Sequence, residues 1–449
     1  MDVLYTIVGI GLVLGVMVLI HEWGHFIVAR MCGVRVDVFS IGFGPRLFGW
    51  KKGPTDYRVS ALPLGGYVRM AGQDLSEVDS GEKPPTGAPD ELMSKPRWQR
   101  ALISFAGPAV NLIFPIFLLT GLFSIVGVPY PAYLDAPVHV TGLPANAEVS
   151  PSPSPLKPGD TVLSINGVPT ATWEQALLAL KQAGSAATIK MEVDDAGTRR
   201  LVEVPAKDLS EPNRILGYAP IRPVIDQVAP GTPAERAGLR EGDEITAVNG
   251  KKIEFWEQFR EATQSSNGQP MALDIIRSGH PVQLTVTPKK GAAGTDENVY
   301  QVGIGPRDET AYKHVSFSEG VHFAVTGTVD TITRTVDVVG KLFSGRVSIK
   351  QLQGPVGISH MAGQAVRRGP LDVVSLMVLI SINLGILNLL PIPILDGGNI
   401  LLLAIEGIMR RDLSLSFKER FVQVGLVFLL VIFAIVMYND ILRRITSHS

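Results

Sequence analysis

The 449-residue chain has a single cysteine, Cys32. An intrachain disulfide and a cysteine-based metal cage are therefore both excluded, and Cys32 reads as a small packed residue at a helix end. An excess of either charge is also missing. Against 42 acidic side chains stand 41 basic ones, which gives no reason to expect nucleic acid as a partner. Charge is scarce altogether, at 18% of residues, while hydrophobic residues reach 46% and mean hydropathy is +0.23. Those values point to a membrane protein and to a lipid bilayer as its surroundings.

Four stretches carry no charge for long enough to cross a bilayer: Val3 to Ile20, Ala101 to Val128, Val373 to Leu395 and Phe421 to Tyr438. A hydrocarbon core of about 30 Å needs about 20 helical residues. The first stretch has Asp2 and no basic residue before it, and no small-x-small cleavage site after it, so it reads as a retained span. No Lys or Arg precedes Arg30, whereas Arg30 to Arg100 contains eleven. The positive-inside rule then puts that stretch in the cytoplasm and, with four spans, both termini and the central region outside.

The central region contains a repeat. "LKPGDTVLSINGVPTATWEQ" from Leu156 and "LREGDEITAVNGKKIEFWEQ" from Leu239 align without gaps at an offset of 83. In each copy an alternating strand ends in Asn-Gly, a strong hairpin signal, and a short amphipathic helix begins near Trp173 or Trp256. Two copies suggest two small domains rather than a solenoid. "PGTPAERAGLREGD", Pro230 to Asp243, resembles PDZ domains, whose groove takes an extended peptide. The first copy departs from that pattern at "PSPSPLKPGD", which implies an altered groove. Further on, Val321, Val325, Val329, Val336 and Leu342 recur at helical spacing, as in an interfacial or groove-lining helix, with a simple packing face as the default reading.

The chemistry is concentrated in "VLIHEWGHF", residues 18 to 26. His21 and His25 stand at i and i+4 on one helix face, so both imidazoles can hold one Zn²⁺. Glu22 lies beside them, placed to act as general base on an attacking water and then as proton donor to the leaving amine. Ionisable residues at the end of an uncharged run have a functional reading by default. A third ligand is expected, and the candidate is Asp396 in "NLLPIPILDGG", residues 388 to 398. Asp396 ends a 23-residue uncharged run; Pro391 and Pro393 break the helix, and Gly397 and Gly398 allow a tight turn. Asn383 and Asn388 are further amides at membrane depth, with Asn388 the candidate for holding substrate or stabilising the oxyanion. Asn111 in "GPAVN" is expected to bond across helices.

Taken together, "HEWGH" on the first span, "GPAVN" on the second, the tandem PDZ-like pair and "NLLPIPILDGG" on the third resemble the site-2 protease family of intramembrane zinc metalloproteases. The order of motifs is similar to the bacterial regulator-of-sigma-E protease branch along essentially the whole chain. The resemblance implies one zinc on His21, His25 and Asp396, with Glu22 as base and Asn388 in substrate binding. It also implies that "VDVFSIGFGPRLFGWKK" and "DYRVSALPLGGYVRM" form a β-hairpin sheet dipping into the membrane beside the zinc. There an added strand would hold an unwound substrate extended, with Gly65 and Gly66 allowing close approach. The implied setting is the bacterial cytoplasmic (inner) membrane, with the active site near the cytoplasmic side. The implied substrates are single-span transmembrane proteins such as a pre-cut anti-sigma factor, or signal-peptide remnants, with the PDZ pair filtering out bulky ones.

The expected architecture is a polytopic α-helical membrane protein of four transmembrane helices, with a membrane-associated β-hairpin sheet and two extracytoplasmic PDZ-like α+β domains. Its expected divisions are residues 1–31 for the first span and zinc motif, 32–97 for the sheet region and 98–128 for the second span. The two PDZ domains take 129–221 and 222–290, and 291–371 is a linker with the amphipathic helix. The third span with its Asp-Gly loop takes 372–417, and the fourth with the C-terminus takes 418–449. A different class stays open at this point: a PDZ-bearing membrane adaptor that binds peptides and uses zinc only structurally.

Overall fold

The computed structural model describes residues 2–73, 86–140, 156–157, 159–183, 188–205, 216–229, 231–291, 299–307, 309–344 and 354–448. Two compact units emerge: Met1–Val128 with His314–Leu442, and Pro129–Lys313 with Arg443–Ser449. The first contains helices α1 (Asp2–Met31), α2 (Arg97–Ile125), α3 (Phe317–Phe343), α4 (Pro355–Arg368), α5 (Pro370–Leu389), α6 (Asp396–Met409) and, as far as Leu442, α7 (Leu415–His448). Leu4–Met31, Arg97–Ile125, Pro370–Leu389 and Ser416–Asp440 within them are long and apolar enough to cross a bilayer. The protein is thus a polytopic membrane protein. The third span stops at Leu389 rather than continuing to Leu395, because Pro391 and Pro393 cannot extend the helix and Ile394 turns to a φ of 81°.

Between helices in lipid, close packing replaces the hydrophobic effect, and small residues sit at the contacts. A Cβ on Gly9 of α1 would come 2.5 Å from the Ala362 carbonyl of α4, and one on Gly24 would come 2.6 Å from that of Ala106 on α2. The buried face of α3 is likewise made of small residues and is not the expected one. Gly320, Ala324 and Thr328 are the buried positions, whereas Val325, Val329 and Val336 are exposed. The helix itself is real and starts from a capping box of Ser316 and Glu319. Its valine stripe is not the packing face.

A polar hub ties helix ends together. Glu406 of α6 is fully buried, with Lys418 Nζ of α7 at 3.0 Å and Arg100 and Arg97 of α2 at 3.8 and 3.9 Å. At the other end of α7, Asp440 accepts from the backbone N–H groups of Gly354 and Gly357 at 3.2 and 3.1 Å, which satisfies the first turn of α4.

After α1 come β1 (Val36–Lys52) and β2 (Thr55–Met70). This is more than a simple hairpin. Val38 to Ile41 pair with Arg69 to Gly66 and also with Asp56 to Val59, while Arg46 to Lys52 pair with Ser60 to Thr55. Each long strand therefore bends into two segments, and residues 66–70 form one outer edge of the resulting sheet. Phe43, Leu47, Phe48, Trp50 and Leu62 on this sheet are exposed apolar side chains.

The second unit shows the duplication in three dimensions. Strands Thr161–Ile165, Val168–Pro169, Thr188–Asp195 and Thr198–Pro205 form one sheet, and Glu244–Val248, Lys251–Lys252, Met271–Arg277 and His280–Val286 form the other with the same strand order. Asn166 and Asn249 hold the hairpins at φ 49° and 51° and accept from the N–H of Lys190 and Ala272. The repeated Gly-Asp has a physical reason too. Asp160 and Asp243 are buried, each accepting from the N–H three residues earlier and pairing with a strand arginine, Arg200 or Arg277. Separate cores form around Trp173 and Trp256. The second core extends beyond residue 290: Val302 is buried in it and Ile304–Pro306 pairs with Ile225–Val228, so this stretch is not linker. Residues 151–155 and 158, where the first copy departs from the PDZ pattern, lie outside the described residues.

Candidate metal centre

The centre is assembled from α1, α2, α5 and α6. An i, i+4 spacing on α1 brings His21 and His25 to one face, with their Nε2 atoms 3.2 Å apart. Asp396 opens α6 immediately after the proline-broken loop and aims its carboxylate between them. Oδ2 lies 3.1 Å from His21 Nε2 and Oδ1 lies 3.4 Å from His25 Nε2. Gly397 and Gly398 permit this turn, since a Cβ on either would overlap the backbone carbonyls of residues 389 to 392. Among the described residues, this is the one cluster of three or more such side chains able to share an ion.

The cluster fits zinc. Donor atoms bound to one tetrahedral Zn²⁺ at about 2.0–2.1 Å lie about 3.3–3.4 Å apart. The two imidazole nitrogens, 3.2 Å apart, have about that edge length, and each lies 3.1 or 3.4 Å from a different oxygen of the Asp396 carboxylate. Two imidazoles and a carboxylate form the donor set of an open, three-ligand catalytic site.

The surroundings orient the ligands for that task. His25 Nδ1 lies 2.8 Å from the Ile103 carbonyl, which can only accept, so the proton is on Nδ1 and Nε2 is free for metal. His21 Nδ1 faces the Asn111 amide at 3.2 Å. With Nε2 given to a metal, Nδ1 carries the proton, so the amide orientation that satisfies it presents Oδ1. That oxygen otherwise stands buried without a partner. Gly107 completes the α2 wall, for any Cβ there would overlap the His25 ring. Gly107 and Asn111 thus repeat on α2 the four-residue spacing of the two histidines.

Glu22 is not among the donors. Its Oε2 accepts from the backbone N–H of Val68, at 3.0 Å, on the outer edge of the sheet. Asn388 lies near the end of α5 with Nδ2 3.4 Å from His21 Nε2, at the rim of the cluster. Asn383 instead bonds Thr335 of α3. Gly65 and Gly66 are buried, and their missing side chains leave room for the Phe43 ring and the Ser40 carbonyl of the sheet itself. Gly66 nonetheless lies next to Glu22, whose Cγ would be 3.7 Å from a Cβ at that position.

Sequence reasoning missed the Ile103 carbonyl, Gly107 and the Val68 N–H, whereas Asn111 bonds across helices as expected, its partner being His21. Only "GPAVN" carried a signal for any of these, through its matching spacing.

Comparisons with known proteins show the family. The model of peptidase family M50 matches residues 9–432. The regulator of sigma-E protease RseP of Escherichia coli is 34% identical, over 96% of this chain and 97% of that protein. Protease RseP of Yersinia pestis is 32% identical, over 99% of this chain and all of that protein. The regulator of sigma E protease of Salmonella typhi is likewise 32% identical, over 99% of this chain and all of its own length.

Proposed function

Since the chain belongs to peptidase family M50 and is an intramembrane zinc metalloprotease, we propose that His21, His25 and Asp396 hold its zinc and that Glu22 is its general base. The observation that carries this reading is the approach of His21 Nε2 and His25 Nε2 to 3.2 Å, each 3.1–3.4 Å from a different oxygen of the Asp396 carboxylate, beside a second carboxylate, Glu22, that is not among the donors.

Zinc supplies Lewis acidity, polarising the scissile carbonyl and making water acidic enough to deprotonate near neutral pH. Glu22 takes the proton from the attacking water and returns it to the leaving nitrogen. Asn388 presents its amide at the rim, where a donor would steady substrate backbone or the developing oxyanion. Asn111 and the Ile103 carbonyl hold the imidazoles in the binding tautomer.

A transmembrane helix offers no free peptide bond, because its carbonyls are engaged along the helix. The outer edge at residues 66–70 supports strand addition: Val68 and Met70 bond outward to Glu22 and Gln73, so alternate peptides on this edge face away from the sheet. Gly66 keeps the edge low beside Glu22.

The two duplicated units are read as extracytoplasmic PDZ-like domains that screen substrates. Their support is the shared strand order, the Asn-Gly hairpins and the buried Gly-Asp pairs. The basic stretch from Arg30 to Arg100 supports a cytoplasmic-side active site, with both termini outside, in a bacterial inner membrane. Substrates would be single-span proteins, either pre-cut anti-sigma factors, in keeping with relatives named regulators of sigma-E, or signal-peptide remnants.

The test is cleavage of a single-span model protein by purified enzyme and by Glu22→Gln. The variant should keep its zinc and lose about 10²–10⁴-fold in rate; undiminished cleavage would refute the assignment of the base. Removing residues 129–313 should leave a membrane unit that also cuts intact substrates, and continued sparing of those substrates would exclude the screening role.

A further inference from the structure

The contact between Glu22 and Val68 sets the proposed base against an incoming strand. An added strand lies about 4.8 Å from its neighbour, with its carbonyl oxygens about 2.9 Å from the facing N–H groups. Glu22 Oε2, 3.0 Å from Val68 N, stands where such a carbonyl oxygen would be. Val68 is one of the residues whose peptide points outward. Its partner across the sheet is Phe39, and the flanking Tyr67 and Arg69 face Ser40 and Val38. The base and an incoming chain therefore need the same donor, and both cannot have it.

From this we propose that in the resting enzyme Glu22 occupies the backbone docking position of the substrate, and that an extended chain engages the base by displacing it from Val68. The proposal rests on strand addition at residues 66–70 and on Glu22 as base. It gives the site a selectivity that a static base lacks. A helical segment has its carbonyls bonded within the helix and cannot take the Val68 N–H, so Glu22 stays on the strand. An unwound segment presents a free carbonyl, takes the N–H, and leaves the carboxylate without its donor at the moment a peptide bond arrives. Unwinding and release of the base become one event. No extra group is required, because the carboxylate exchanges a peptide N–H for the attacking water, and the substrate carbonyl exchanges its own helix for the Val68 peptide.

The experiment measures binding of a fluorescent single-span model peptide to the zinc-loaded full chain by stopped flow, before turnover. Glu22→Ala removes the competitor and should tighten binding about tenfold, the range of one charge-assisted hydrogen bond. Glu22→Gln keeps an acceptor for Val68 and loses the charge, so its affinity should stay within about threefold of the unaltered enzyme. Glu22→Ala binding no more tightly than the unaltered enzyme would overturn the proposal. So would Glu22→Gln tightening as much as Glu22→Ala, since charge alone would then be the cause. The zinc content of each variant is measured alongside. A peptide N-methylated along its extended segment separates the proposal from the reading beneath it. If strand addition holds, all three proteins bind that peptide poorly. Equal binding of methylated and plain peptide means that strand addition itself is wrong, whatever Glu22 does.

Discussion

Gly107 and His25 fit together as a flat surface and a ring: the glycine of α2 has no Cβ because the imidazole fills that space. Gly107→Ala should therefore displace His25, a proposed zinc ligand, although alanine favours a helix by about 1 kcal/mol over glycine. Bound zinc per chain, measured by elemental analysis, should fall well below one. Gly121→Ala on the same helix meets nothing within 4 Å and is the matched control that should keep its metal.

Asn111 acts on the metal only through His21. Asn111→Leu preserves approximate size and removes the Nδ1 partner, and losses of about 10–100-fold in metal affinity are typical for such partners. Competition with a chromophoric chelator reads the change directly. Affinity equal to that of the unaltered protein would show that the Asn111–His21 contact has no part in holding the ligand.

Asp396→Ala removes one of the three proposed donors. Zinc should be lost at chelator concentrations that leave the unaltered enzyme loaded, and cleavage of the model substrate should disappear with it. Stripping zinc from the unaltered enzyme should likewise abolish cleavage, and readdition should restore it. Undiminished metal in Asp396→Ala would exclude this carboxylate as a ligand.

In the second repeat, Arg277 spans from its strand to Asp243, which is 1% exposed. Arg277→Met should leave a buried carboxylate unpaired and cost about 3 kcal/mol, the low end for a broken buried pair because the guanidinium is partly in water. Hydrogen exchange should quicken across Glu244–Val248 and Met271–Arg277, and the corresponding strands of the first repeat should not change. Zinc content should remain that of the unaltered protein.

Much of this molecule could be read from residues alone where a side chain must be one particular chemical type. His21, Glu22 and His25 follow from helical spacing. Asp396 stands out because a carboxylate at the end of an uncharged run needs a cation, and the two domains follow from the repeated Gly-Asp and Asn-Gly. Other parts depend on groups that carry no residue identity. The Ile103 carbonyl and the Val68 N–H belong to the backbone, so no letter of the sequence reports their roles. The face of α3 misled for a different reason. Periodic valines suggest a packing face, but Gly320, Ala324 and Thr328 pack instead, and small residues leave no apolar stripe to read. The bend that turns two strands into four segments depends on which of two neighbours each residue of 38–41 pairs with, and these residues pair with both.

Asp396 stands 371 residues after His25, with both duplicated domains between them. Chains are synthesised from the N-terminus at about 5–20 residues per second. The two histidines are therefore made tens of seconds before their third partner, and no three-ligand site exists during that interval. With the proposed ligand set, a nascent chain can insert its first two spans and fold its two duplicated domains without the power to cut anything around it. The placement of one carboxylate late in the sequence makes proteolysis the last property the molecule acquires.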